Sequence, residues 1–243
     1  LPSAVLLRNA LAAEDLEPIL AMRETVGGKG TLAIQRVLQA LHTLDVPIGR
    51  EELWAEWCHR IAENPSVNLL YHLTRSLEVL LKAVLFREIK DQSGPIIGET
   101  GRRLLRWVLN ERTQNQDTRY DRIGSIGLVP LVCNTVRTEP DDSVAVLGQV
   151  LQLLQDDGFP IEYISRLCHN VSPLIEYTPE FTDKVYREVF GKVEASIDQT
   201  VMREGVMALT SNRRQDFRMC HYSLKKAFPK FLEKHPEEAV VTA

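Results

Sequence analysis

The sequence predicts an all-α protein in which antiparallel helix pairs stack into an α-solenoid. Two observations carry this prediction. Apolar residues recur at i, i+3, i+4 and i+7, and alternating period-two runs are nearly absent. The recurrence is clearest in two stripes: Leu77, Leu80, Leu81 and Val84, and Leu147, Val150, Leu151 and Leu154. Predicted helices of about 12–20 residues joined by short turns favour a stack of repeats, with one compact bundle as the alternative.

The helices are delimited by glycine, proline and Asn/Asp clusters. A polar loop is expected over residues 111–121, and the first helix is expected to break near residues 15–18. The pattern predicts helices at about residues 3–25, 31–44, 50–63, 66–90, 95–110, 120–138, 142–156, 161–169, 179–190, 199–209 and 215–234.

Capping residues agree with these boundaries. Pro140, Pro160 and Pro179 stand where a first helical turn needs no N–H donor. Gly158 follows an aspartate at the predicted end of one helix, where a left-handed residue is favoured.

Composition and charge restrict the classes of protein. Of 243 residues, 44% are hydrophobic, which is too many for a disordered chain. The net charge of −4 does not attract nucleic acid or anionic membrane as a whole. The longest stretch without a charged side chain, residues 123–136, is shorter than the roughly 20 residues that span a bilayer. We expect a single helical-repeat segment over 1–243, with a subdivision near 111–119, and no membrane partner.

The four cysteines, Cys58, Cys133, Cys168 and Cys220, are far apart and form no Cys-x-x-Cys pair. This usage predicts reduced, mostly buried thiols and a cytoplasmic location. Each of Cys58, Cys168 and Cys220 is followed by histidine, but adjacent helical residues point about 100° apart and rarely bind one ion. We therefore expect no metal site.

Catalytic motifs are also missing. Gly27-Gly28-Lys29-Gly30-Thr31 is similar to a phosphate-binding loop, but Gly30 separates the lysine from the hydroxyl residue, so a plain turn is the better interpretation. There is no Gly-x-Ser-x-Gly elbow and no His-Glu-x-x-His. The sequence predicts no enzyme activity, no cofactor and no small-molecule substrate.

Two segments resemble known families. IGLVPLV at 126–132 and TEPDDSVAVL at 138–147 resemble a HEAT or armadillo repeat: a first helix, a Pro/Asp turn and a second helix with a small apolar start. LTSNRRQDF at 209–217 resembles helical-repeat segments of large bacterial STAND-type nucleotide-hydrolysing proteins. The first resemblance implies a scaffold, and the second implies a sensor or regulatory region of a larger signalling or defence protein.

Positive charge is concentrated near the end of the chain. Seven cations and two acids between residues 213 and 234 give a net +5, which leaves −9 for the rest of the chain. Binding is expected at Arg213, Arg214, Arg218, Lys225 and Lys226. An acidic protein surface is the expected partner; a nucleic-acid backbone and an ordinary solvated face are the alternatives.

Overall fold

The computed structural model describes residues 9–10, 12–21, 29–43, 48–155, 160–204 and 212–237. The protein is all-α, and the described residues contain helices and turns but no strand. Contacts divide the chain into unit 1, Leu1–Val108, and unit 2, Leu109–Ala243. The division lies just before the polar segment at which the sequence suggested one.

Unit 1 is built around a long central helix. It contains α1 (Glu17–Leu20), α2 (Lys29–Thr43), α3 (Glu51–Ala62), α4 (Val67–Phe86) and the first part of α5 (Ser93–Asn115). Helix α4 packs against both α2 and α3. Its predicted stripe is buried, with Leu77, Leu80 and Val84 no more than 1% exposed.

Polar contacts fix the neighbours of α4. The Ser76 hydroxyl donates to the carbonyl oxygen of Leu38 in α2 at 3.0 Å, and it is fully buried. At the C-terminal end of α4, Arg87 Nη1 lies 2.5 Å from the buried carboxylate of Glu51, the first residue of α3. Both contacts join neighbouring helices, and each satisfies a buried polar group that would destabilise the fold if it had no partner.

Unit 2 begins with the end of α5 and continues through shorter helices. In order they are α6 (Asp121–Ile123), a π-helical turn (Gly124–Leu128), α7 (Val129–Asn134), a 3-10 turn (Val136–Thr138), α8 (Pro140–Gln152), a 3-10 turn (Leu153–Gln155), α9 (Ile161–His169), α10 (Val171–Tyr177), α11 (Pro179–Glu204) and α12 (Asn212–Lys234). Helix α9 packs against α12, α7 and the π turn, so the core of unit 2 gathers around α9.

Three predicted boundaries are wrong. Helix α5 extends through Asn115, into the segment expected to be a loop. The helix expected over 120–138 is interrupted, because Pro130 has no N–H and its ring excludes the regular bond to the residue four before it. The backbone widens there, and Val129 N–H donates to the carbonyl of Gly124 in π fashion. Helix α11 is continuous to Glu204, where two helices had been expected.

The proline predictions are confirmed. Pro140 and Pro179 are the first residues of α8 and α11, and Pro160 is the residue just before α9. The plain turn that the sequence predicts falls on residues 27–31; the first two of these lie outside the described residues, and α2 already begins at Lys29.

Candidate interaction surface

Helix α12 turns one apolar face toward the core of unit 2. Cys220, Leu224 and Phe231 are each 0% exposed and are spaced by four and seven residues. That spacing places them on one side of a helix with 3.6 residues per turn. The inward face of α12 is therefore fixed by packing, and the opposite face must meet solvent.

An aromatic cluster holds this inward face. The Tyr186 ring of α11 stacks on Phe231 at 5.4 Å between centroids and meets Phe228 edge-on at 5.2 Å. The Tyr186 hydroxyl donates to the carbonyl oxygen of Leu224 at 3.0 Å, so its buried polar atom is satisfied. Burial, with a smaller contribution from the nearby Cys168, raises the pKa of Tyr186 above its usual range. The phenol therefore stays protonated and keeps donating this bond.

The C-terminal end of α12 is attached to α10. His235 Nε2 donates to the Ile175 carbonyl oxygen at 2.9 Å, and Lys234 Nζ lies 3.6 Å from a Glu176 carboxylate oxygen. These contacts and the aromatic cluster restrict the rotation of α12 about its axis.

We define the basic face as the exposed cations Arg218, Lys225, Lys226 and Lys230, together with Tyr222 and Met219 between them. Tyr222 is 61% exposed and Met219 is 43% exposed. No acidic residue occurs between positions 217 and 232. Among the described residues, none of these four cations lies within ion-pair distance of a carboxylate. The basic face is thus an uncompensated positive surface with apolar and aromatic contact area.

The structure brings together three of the five predicted binding residues. Arg218, Lys225 and Lys226 lie on the basic face. Arg213 and Arg214 belong to the backbone of α12, but their side chains lie outside the described part of the chain. Helical spacing also adds Lys230, which was not among the predicted residues although the same periodicity includes it.

The cysteines lie in the core. All four are free thiols and buried. Burial raises the pKa of Cys58 to about 12, and burial also raises the pKa of Cys133. For Cys168, burial acts first, and contact with the Cys220 thiol raises the pKa further. The Cys58, Cys133 and Cys168 thiols therefore stay protonated and unreactive at neutral pH.

The histidines that follow the cysteines point elsewhere. His59 Nδ1 lies 3.0 Å from the Thr100 hydroxyl, and His169 Nδ1 lies 2.6 Å from the Ser165 carbonyl oxygen. The His221 ring is tilted against Phe190 at 5.2 Å. In the described ranges, no group of three metal-binding side chains comes together.

The chain was compared with protein-family descriptions, curated proteins and solved structures, and it matches none of them. Within the described ranges, no helix combines the length and the apolar character needed to cross a bilayer.

Proposed function

We propose that this protein is a non-enzymatic helical-repeat scaffold, and that its basic face on α12 binds an acidic surface of a partner protein. The observation that carries the proposal is the uncompensated positive surface of α12. Four cations surround an exposed tyrosine on a helix whose opposite side is locked into the core. Tyrosine and arginine are typical of binding hot spots, since they offer contact area and directional hydrogen bonds.

Electrostatics determine what this surface attracts. The cations act against a chain whose remaining residues carry net negative charge, so an acidic partner is oriented toward α12 during encounter. Such steering mainly affects the association rate and weakens as salt increases. An acidic protein surface meets these requirements without a deep pocket.

The test is a triple charge reversal on the basic face: Arg218→Glu, Lys225→Glu and Lys226→Glu. The matched control is Arg36→Glu, Lys82→Glu and Lys90→Glu, which changes the net charge equally at exposed positions of unit 1. Both variants and the native chain are used to capture proteins, and candidates are those retained by the native chain and the control only. Each purified candidate is then titrated with all three chains at about 50 and about 200 mM salt.

The proposal expects affinity to fall about tenfold or more on reversal, and hardly at all in the control. Equal binding by both variants, with helical circular dichroism intact, would refute the basic face as the contact surface.

Nucleic acid is the second candidate. Tyr222 is exposed among cations, and an aromatic ring beside positive charge is the arrangement on which single-stranded bases stack. A random-sequence single-stranded oligonucleotide is titrated with the same three chains. A steep salt slope that is lost on charge reversal would favour this function over protein binding.

A second part of the proposal concerns the role of this chain within a larger protein. We further propose that the helices stack in antiparallel pairs as a solenoid, and that this stack, together with the resemblance at 209–217 to bacterial STAND-type proteins, belongs to a regulatory region that responds to a partner. We propose that this region controls a nucleotide-hydrolysing domain of its parent protein. Nucleotide hydrolysis by the parent, with and without the triple reversal, measures that control, and unchanged rates with and without partner would contradict it.

A further inference from the structure

A cleft in unit 2 is lined by side-chain carboxamides. Its volume is about 430 Å³, within the range of about 300–1,000 Å³ typical of ligand sites. One wall comes from the end of α5, and the other comes from α8 and the 3-10 turn after it. Five carboxamides line these walls: Asn110, Gln114, Gln149, Gln152 and Gln155.

Helical spacing explains why these side chains face one space. The glutamines at 149, 152 and 155 are each three residues apart, and residues 110 and 114 are four apart, so each set shares one side of its helix. Leu109 and Leu153, which are 5% and 8% exposed, form the apolar part of the lining. The Thr113 hydroxyl also lines the cleft but donates to the Leu109 carbonyl oxygen at 2.8 Å, so toward a ligand it acts as an acceptor.

The five carboxamides make no hydrogen bond to any other described residue. By contrast, Gln35, Asn134 and Asn170 each donate to a backbone carbonyl oxygen at 2.7–2.8 Å. The carboxamides of the cleft therefore retain both their N–H donors and their carbonyl acceptors for a ligand. With two N–H donors on each of the five carboxamides, ten donors lie in a small space and form a concentrated, uncharged recognition surface.

The lining limits the ligand's chemistry. No ionised side chain is found among the described lining residues, so a charged ligand would lose hydration without gaining a counter-charge. The described lining residues include no aromatic ring either, so among them a nucleobase would lack a stacking partner. A peptide main chain fits better, because each peptide group offers one N–H and one C=O, the complement of a carboxamide. The two leucines suit an aliphatic side chain on the same segment.

The geometry points to a second binding site: the carboxamide cleft binds an extended, uncharged segment of a partner protein through its main chain. This inference goes beyond the basic face, because it relies on neutral hydrogen bonds and on different residues. Either site can fail in experiment without the other.

The probes are peptides selected from a random dodecapeptide display library on the immobilised full chain, then synthesised with blocked, neutral ends. Affinity is measured by calorimetry for the native chain and for Gln149→Glu/Gln152→Glu, which keeps side-chain shape but replaces amide donors by charged acceptors. The control, Asn64→Asp/Gln92→Glu, makes the same change at exposed amides of unit 1. A second version of each peptide carries N-methyl groups on its central peptide nitrogens.

The proposal expects uncharged peptides whose affinity falls about tenfold or more in the cleft variant and less than twofold in the control. N-methylation should weaken binding to a similar degree, because it removes main-chain donors. Binding of the unmodified peptides should also be nearly independent of salt, because the hydrogen bonds involved are neutral.

Four outcomes overturn the inference. The selection could yield no specific peptide, or peptides whose binding is unchanged in the cleft variant. It could also yield acidic peptides lost only on reversal of Arg218, Lys225 and Lys226, which would support the basic face alone. Finally, a random single-stranded oligonucleotide could lose binding in the cleft variant, which would assign the cleft to nucleic acid.

Discussion

Replacing Phe231 by alanine tests whether the aromatic cluster holds α12 in place. The Phe231 ring is 0% exposed, stacks on Tyr186 at 5.4 Å, and lies 6.3 Å from the Phe228 ring. Truncating a buried phenylalanine costs about 3–5 kcal/mol, through lost transfer free energy and the cavity left behind. With the lost stacking contact included, we expect a value near the middle of that range, about 4 kcal/mol.

Hydrogen exchange measured by mass spectrometry reports this loss of stability in α12 itself. If peptides covering residues 218–234 exchange through opening of α12, a loss of about 4 kcal/mol accelerates their exchange about a thousandfold. The matched control is Phe86→Ala, because Phe86 is 89% exposed. Its removal should change stability by less than about 0.5 kcal/mol.

Exchange in the Phe231 variant within about fivefold of the native rate would refute the reasoning. It would show that the ring cluster does not determine how α12 presents its basic face. A comparable acceleration in the Phe86 control would also refute it, because the effect would then not depend on burial.

Three further outcomes are expected. Tyr186→Phe removes the bond to the Leu224 carbonyl and should lower the free energy of unfolding by about 0.5–1.5 kcal/mol, measured by urea titration; no change would show the bond to be without net effect. Burial raises the pKa of Cys58 from about 9 to about 12, so its contribution to the free energy of unfolding is complete below about pH 9 and is lost at about 1.4 kcal/mol per pH unit as pH rises toward 12. In urea titrations, the free energy of unfolding should therefore fall less steeply with alkaline pH in Cys58→Ala than in the native chain. Equal slopes would contradict this. Pro229 lies inside α12, is exposed and has no N–H to donate to the Lys225 carbonyl. Pro229→Ala should therefore raise the thermal midpoint, with a gain of about 1–3 kcal/mol in the free energy of unfolding. A lower midpoint would mean that the proline fits a local bend.

The features that the sequence predicted correctly depend on neighbouring residues. Helical periodicity identified the buried stripe of Leu77, Leu80 and Val84, because a helix places residues three and four apart on one side. Pro140 marked the start of α8 because its fixed φ and missing N–H suit a first turn. The same local logic failed at 124–128, since the consequence of Pro130 depends on how the preceding backbone relaxes, and apolar spacing does not encode a π turn.

The candidate sites depend on residues that are distant along the chain. The charge and spacing of α12 predicted a basic surface, but which side faces solvent is determined by Tyr186, 38 residues before the Leu224 carbonyl that it contacts. The carboxamide cleft has no sequence signal, because glutamine is an ordinary exposed residue. Residues 110–114 and 149–155 become one site only when the end of α5 and α8 border the same space.

The two sites differ in the distance over which they act, and this difference is measurable in binding kinetics. Charges on the basic face act on a partner before contact, over roughly the Debye length of about 8 Å at physiological salt. Carboxamides act only when donor and acceptor are about 3 Å apart, after water has been displaced. Reversing Lys225 and Lys226 should therefore slow association, whereas replacing Gln149 and Gln152 should speed dissociation. A protein that used both sites would combine salt-sensitive encounter with salt-insensitive residence, and a single site would show only one of these behaviours.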